Sequence, residues 1–326
     1  MVYYYLPDTM CIIIASHISN ATRITYLIEC LLSLVHQSIP ISTYLSISFE
    51  TPEIRDLVVN GIQSVPEINQ NIQSGKIILC IREHKTPQMR HIELVHSVME
   101  PHHEWVLFCD DDDTYEPRRV ETFALCIREH FDENNKTFNL SGLYESTFGK
   151  DHREHRHEYW CYCVRRSILA RFFDGVRPYP DVLDNKCCDV LFAEYLRRLH
   201  PNHLFARITE GGYNYRVDNN ADSITGFIKQ NQSLYTQFSV PPPLEDSRWP
   251  TYVIHWNDYL HENMSVFLHD TYLRTLVGVS LNDILAAEFK ANAPLLEYVD
   301  VCHVARIKEN YERLLKVCNE IYDISI

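Results

Sequence analysis

The sequence predicts an α/β protein: an open, mainly parallel sheet with helices on both faces and a helical C-terminal extension. Short unbroken apolar runs, such as Met10–Ala15 (MCIIIA) and Trp105–Cys109 (WVLFC), suit parallel strands covered on both faces. These runs alternate with segments of helical periodicity, and a β-α-β-α order folds as a parallel sheet. Beyond Pro241-Pro242-Pro243, a stiff connector, the pattern turns helical.

The elements follow in order. After Met10–Ala15, the segment Thr22–Gln37 spaces Ile24, Leu27, Ile28, Leu31, Leu32, Leu34 and Val35 as one helical stripe. Tyr44–Glu50 (YLSISFE) alternates as a strand, and Lys76–Ile81 (KIILCI) is a second apolar run. Met89–Met99 is a helix, Trp105–Cys109 a strand, and Pro117 sits where the helix Arg119–His130 can begin. The following half is less regular. Phe138–Tyr144 and Glu158–Val164 read as strands, Arg166–Phe173 as a helix and Cys188–Leu199 as an amphipathic helix. Leu204–Ile208 and Tyr213–Val217 are short strands, and Arg306–Tyr322 carries the clearest helical stripe.

At 326 residues the chain holds one large domain or two ordinary ones, with 45% hydrophobic and 23% charged residues. Lys and Arg number 30 against 44 Asp and Glu, a net charge of −14, which repels phosphate polymers and disfavours nucleic acid as a partner. Eleven cysteines, several in apolar runs, point to a reducing, cytoplasmic setting rather than a disulfide scaffold. No run is long enough to span a bilayer, and the N-terminus lacks the basic start of a signal peptide.

Asp110–Asp113 raise the chemical question. Four carboxylates follow directly on a buried strand, and an open parallel sheet binds ligands at the carboxyl ends of its strands. Converging carboxylates repel unless a cation joins them. All-oxygen ligands suit Mg²⁺ or Mn²⁺, which keeps waters and takes phosphate oxygens alongside one or two carboxylates. The blander alternative is a solvated acidic loop ahead of the helix that follows Pro117.

The stretch WVLFCDDDDTYEP resembles the signature of GT-A fold glycosyltransferases, especially the inverting family-2-like group, whose sheet is Rossmann-like. CIIIASH with YLIECLLSLVHQS is similar to that family's first strand and helix, YLSISFE to its second strand, and TPQMRHIELV to the segment closing over the nucleoside. The resemblance covers roughly residues 10–225. It implies a catalytic domain over 1–235, with a nucleotide-sugar half (1–117) and an acceptor half (118–235), before a helical extension over 236–326. It implies Asp110 and Asp112 as a DxD pair, with Asp112 on the metal and Asp110 on the ribose or the metal through water. Asp111 and Asp113 leave that register open by one residue. Ala15, Ser16, His17 and Glu50 are implied to line the nucleoside pocket, with Arg90 on a phosphate or near the base. The dipole favours a carboxylate at a helix start, and the family places its general base there, which points to Asp189, with Asp184 and Glu194 as fallbacks. YNYRVDNNADSIT is similar to the family's closing segment, with Arg216 offsetting diphosphate charge. Asp218 stands there where the family often has His, as a metal ligand.

The expected partners are therefore a nucleotide-sugar donor, most simply a UDP-sugar, and a sugar or glycoconjugate acceptor. The C-terminal region is expected to brace the catalytic domain, shape the acceptor cleft or join two copies as a homodimer. DHREHRHEYW offers His152, His155, His157, Glu154 and Glu158 to zinc, to a polar loop, or to an acceptor wall in which Trp160 stacks on a sugar. Two other classes compete: a nucleotidyltransferase or phosphohydrolase using the same aspartates, and a non-catalytic sugar-nucleotide module. The loop ASHISNATR lacks the glycines the former would want.

Overall fold

A computed structural model describes residues 6–132, 137–145, 158–200, 205–209, 211–216, 242–288 and 300–323. The strands are, in chain order, Met10–Ile18 (β1), Ser42–Phe49 (β2), Ile77–Ile81 (β3), Trp105–Asp110 (β4), Thr114–Tyr115 (β5), Phe131–Asp132 (β6), Thr137–Phe138 (β7), Gly142–Glu145 (β8), Tyr162–Arg165 (β9), Phe205–Ile208 (β10) and Tyr213–Asn214 (β11). Seven of them form one sheet in the order β10-β8-β9-β4-β1-β2-β3. β1, β2, β3 and β4 run parallel, and β8 and β10 pair in parallel with each other. β9 alone runs against its neighbours, with Leu107 opposite Cys163 and Leu143 opposite Cys163.

The fold class expected from the sequence is the one observed. β1 lies at the centre because its residues are apolar on both faces: Met10, Ile12 and Ile14 have no exposed surface. The helix Arg23–Val35 (α1) buries Leu27, Cys30, Leu31 and Leu34, a stripe at spacing three and four, against one face. β2 alternates as its sequence suggests, yet both its faces are covered. Leu45 and Ile47 join the core, while Ser46 and Ser48 on the other face are fully buried and hydrogen-bond His91 of the helix Gln88–Val98.

Two helices were not foreseen, Pro52–Ser64 (α2) and Pro66–Gln73 (α3). Their start signals are local: Thr51 accepts a hydrogen bond from the Ile54 amide, and each helix opens with proline. The helix Gln88–Val98 is α4 and Arg119–Glu129 is α5. Phe138–Tyr144 is not one strand; Thr137–Phe138 pairs with β6, and Gly142–Glu145 joins the main sheet. Glu158–Val164 is strand only from Tyr162, because Tyr159–Cys161 forms a 3₁₀ turn. Arg166–Val176 (α6), Pro180–Leu183 (α7) and Cys188–Leu199 (α8) complete this part.

By contacts the chain divides into one unit of Met1–Arg216 with Ile324–Ile326, and a second of Val217–Asp323. The second is helical: Trp249–Glu262, Met264–Leu276, Leu281–Glu288 and Val301–Tyr322. Its core gathers Trp249, Trp256, Tyr259, Leu260, Phe267, Leu285 and Ile307. Among the described residues no helix is long and apolar enough to cross a membrane. All eleven cysteines are free.

Candidate active site

The chain leaves β1 towards β2 and β3 on one side and returns as β4 on the other. The carboxyl ends of β1 and β4 therefore flank the point where strand order reverses, where open α/β sheets hold ligands. Register puts Ala15 opposite Asp110 and His17 opposite Ser48, so the ends of three strands meet at one edge. The sequence placed the aspartate run at this edge, and the structure puts it there.

The four aspartates do not act as one patch. The Asp110 carboxylate accepts from Gln88 Nε2 at 3.0 Å and from the Tyr159 hydroxyl. Asp111 accepts from Ser16 Oγ at 2.5 Å, across the crevice between β1 and β4, and from Arg23 Nη2 at 2.6 Å. Asp112 is half-buried, its nearer oxygen 3.6 Å from Arg23 Nη2. Asp113 is buried and spends both oxygens on Tyr213 and Arg216: the Tyr213 hydroxyl at 2.8 Å and the Arg216 amide at 2.7 Å.

Burial, reinforced by the neighbouring carboxylates, pushes Asp110 and Asp111 up and raises Asp113 to about 7. Crowded, buried carboxylates resist ionising together, a cost that a bound cation would relieve. Among the described residues no three His, Cys, Asp or Glu side chains converge into a metal cage. Asp110 and Asp112, both half-buried, supply only carboxylate oxygens, the donor type a hard cation takes alongside water and phosphate.

At the ends of β1 and β2, His17 bridges Ser48 Oγ (Nδ1, 3.0 Å) and Glu50 Oε2 (Nε2, 2.9 Å), and Lys85 reaches Glu50 at 3.3 Å. His17 and Lys85 together hold Glu50 below the usual carboxylate range. Behind them His91, buried and neutral, links Ser46 (2.9 Å) and Ser48 (3.2 Å), and burial lowers it to about 4.

Asp189 stands in the first turn of α8; the Tyr159 hydroxyl is pushed up by burial first, then by Asp110, which it bonds, and less by the charge of Asp189. The fallback carboxylates are engaged elsewhere. Asp184 pairs with Arg90 at 2.5 Å; buried Glu194 accepts from Arg197 at 2.6 and 2.5 Å and from Arg198 at 2.8 Å. Arg90 also pairs with Glu93 at 2.8 Å, so a phosphate contact requires exchanging these partners. Arg216 donates to the Asp112 carbonyl at 2.9 Å and to Glu29, over the Tyr26 ring at 4.4 Å.

Asp218, His152, Glu154, His155 and His157 lie outside the described residues. Trp160 is buried, its ring stacked on Tyr213 at 4.0 Å and on Tyr215 at 5.5 Å. That corrects the expectation that it lies open as a sugar platform: neighbouring aromatic rings already occupy it. The buried Arg119 ties this wall together through Glu145, the Gly211 carbonyl at 2.9 Å and the Trp160 carbonyl at 3.1 Å. Sequence reasoning missed Gln88, Tyr159 and Tyr213, whose partners are far off in the chain. The Arg23 position carried one local signal, a lone cation in the glycine-free loop after the first strand.

No protein-family signature and no curated protein sequence matches the chain. In three dimensions it is similar to S. aureus TarS, at 15% identity and TM-score 0.46, over 94% of this chain and 55% of that one. It is similar also to the mannosyltransferase PcManGT from Pyrobaculum calidifontis in complex with GDP-Man and Mn²⁺, at 13% identity and TM-score 0.46, over 97% of this chain and 86% of that one. A third likeness is to 4-diphosphocytidyl-2C-methyl-D-erythritol synthase from Anaerococcus prevotii, at 12% identity and TM-score 0.38, over 70% of this chain and 98% of that one. The chain thus spans about half the length of TarS. Likenesses of this size assign no activity.

Proposed function

We propose that the chain is a metal-dependent glycosyltransferase of the GT-A kind. It moves a sugar from a nucleotide-diphosphate sugar, a UDP-sugar on this reading, to a hydroxyl of a glycan or glycoconjugate, with inversion. The observation that carries the proposal is the aspartate run at the strand-order reversal, with Asp111 and Asp113 buried and Asp110 and Asp112 half-buried beside Arg23.

Ala15, Ser16, His17 and Glu50 line the nucleoside, with Glu50 held in place by His17 and Lys85. Asp110 and Asp112 hold Mn²⁺ or Mg²⁺, with Asp111 beside the nucleotide and Asp218 as a further ligand. Bound there, the ion supplies a Lewis acid for the departing diphosphate. Arg216 adds positive charge on the same side, and Arg90 does so if released from Asp184. Asp189 takes the acceptor hydroxyl's proton as that oxygen bonds to the anomeric carbon, while the bond from that carbon to the diphosphate oxygen breaks. A reducing, cytoplasmic setting suits the eleven free thiols.

The test incubates the protein with Mn²⁺ and a panel of UDP- and GDP-sugars, following nucleotide release and thermal shift. Mn²⁺-dependent stabilisation by one sugar nucleotide, with its release to an acceptor, is expected. No shift with any member of the panel sinks the proposal.

A further inference from the structure

We infer that Asp113 is a positioning residue rather than a metal ligand: it fastens Tyr213–Arg216 across the aspartate turn and so fixes how Asp110 and Asp112 are presented. Both Asp113 oxygens are used, one by the Tyr213 hydroxyl at 2.8 Å and one by the Arg216 amide at 2.7 Å. The residue is 1% exposed, against a half-buried Asp112. The fastening is reciprocal. Tyr213 donates its hydroxyl proton to Asp113 and accepts the Asp110 amide at 3.1 Å, so one oxygen ties the first and last aspartates together. Arg216 Nε holds the Asp112 carbonyl at 2.9 Å.

Backbone pairing extends the same contact. Tyr213 and Asn214 lie opposite Tyr115 and Thr114, the Glu116 amide donates to the Gly212 carbonyl at 2.8 Å, and Asn214 Nδ2 donates to Glu116 at 3.0 Å. Gly212 has a φ of +73°, in the left-handed region that favours glycine, where the chain enters this pairing. Trp160 stacks on the Tyr213 ring and Arg119 lies over it at 5.1 Å, so the hydroxyl is aimed by a fixed ring. Each Asp113 oxygen keeps a second lone pair, but with both oxygens aimed by fixed donors and only 1% of the residue exposed, the carboxylate offers an ion almost no surface to reach. Asp112, by contrast, has 18% of its side-chain surface exposed.

The inference takes from the proposed function only that the run meets a divalent ion, and its test separates the two. Mn²⁺ alone is titrated, by electron paramagnetic resonance, into wild type, Asp112→Asn, Asp113→Asn, Asp113→Ala and Tyr213→Phe. Amide hydrogen exchange is read at Asp110 and Arg216 in the metal-free proteins. Asp112→Asn is expected to weaken Mn²⁺ at least about tenfold, while Asp113→Asn and Tyr213→Phe stay within about threefold of wild type. Exchange at Arg216 should accelerate in Asp113→Ala and recover in Asp113→Asn, whose amide oxygen still accepts that N–H. Exchange at Asp110 should accelerate in Tyr213→Phe. With a sugar nucleotide that turns over, Asp113→Ala should fall about a hundredfold and Asp113→Asn should regain part of that loss.

Equal loss of Mn²⁺ in Asp113→Asn and Asp112→Asn overturns the inference. So does unchanged Arg216 exchange in Asp113→Ala. Should wild type bind no Mn²⁺, the metal reading falls, and the exchange results alone decide whether Asp113 fastens the turn. Tyr213→Phe, which removes one oxygen from an otherwise intact ring, keeps the test open if Asp113→Ala does not fold.

Discussion

The sheet edge and the α8 flank are both acidic, and they treat their carboxylates differently. At the edge, Arg23 meets Asp111 and Asp112 and Arg216 lies beside Asp112 and Asp113, while Ser16, Tyr159 and Tyr213 hydroxyls and the Gln88 amide bond Asp111, Asp110 and Asp113. On the flank, Asp184 has Arg90, and Glu194 has both Arg197 and Arg198. Hydroxyl and amide donors satisfy lone pairs without cancelling charge, whereas arginine does both. The edge carboxylates are therefore satisfied largely as hydrogen-bond acceptors, and an outside cation would favour their ionised forms, whereas Asp184 and Glu194 on the flank are paired with arginines. Asp189 belongs to the flank by its place in the first turn of α8, while its charge is felt at Tyr159, the hydroxyl bonded to Asp110.

That contrast can be broken at several points. The largest expected effect is at Asp189: if it works with the edge, Asp189→Asn lowers turnover by about 10²–10⁴-fold while donor binding persists. Full activity in that variant would return Asp189 to the flank. Next, Asp112→Asn should abolish Mn²⁺-dependent thermal stabilisation, checked by melting with and without the ion; a retained shift moves the metal within the run.

A third test uses the edge's buried imidazole. His91 is held by serine hydroxyls and lowered by burial to about 4, so it stays neutral in the fold while the unfolded chain protonates near 6.5. Its contribution is fully present above pH 6.5 and is lost as pH falls towards 4, with a ceiling of about 3 kcal/mol. His91→Gln should flatten that acid limb in urea midpoints taken at pH 7 and pH 4.5. An unchanged slope would mean the imidazole is charged in the fold. The smallest effect belongs to the flank: Glu194→Gln should cost about 1 kcal/mol in urea unfolding, since both arginines are partly exposed, and leave turnover within about twofold. A large loss of activity there would give Glu194 the role assigned to Asp189.

Legibility followed the range of the interactions. Cys188–Leu199 and the central strands were read close to their observed limits, because burial stripes are written in neighbouring residues. The aspartate run was legible as a site for the same reason. The individual fates of its members were not: the Asp110 to Tyr159 and Asp113 to Tyr213 bonds span 49 and 100 residues, and no periodicity records them. Ser46 and Ser48 looked like the solvent face of an alternating strand and instead meet His91, whose own helix gave no hint of polar packing. The prolines of α2 and α3 were visible but their weak apolar stripes were not; each helix buries only one or two side chains.

The single reversed strand, β9, sets where the chain tolerates a change of length. Because it runs against β4, its amino end lies at the same edge as Asp110, which is how Tyr159 reaches that carboxylate. Its carboxyl end leaves at the opposite edge, where the Arg166 amide bonds the Glu104 carbonyl at 2.7 Å. Residues gained or lost just before Tyr159 would reshape the edge, whereas after Arg165 no loop takes them up: α6 begins at Arg166, which is bonded to Glu104, Glu100 and His96. A lineage of such proteins can thus alter what approaches the edge by editing one junction, leaving β1, β2 and β4 untouched.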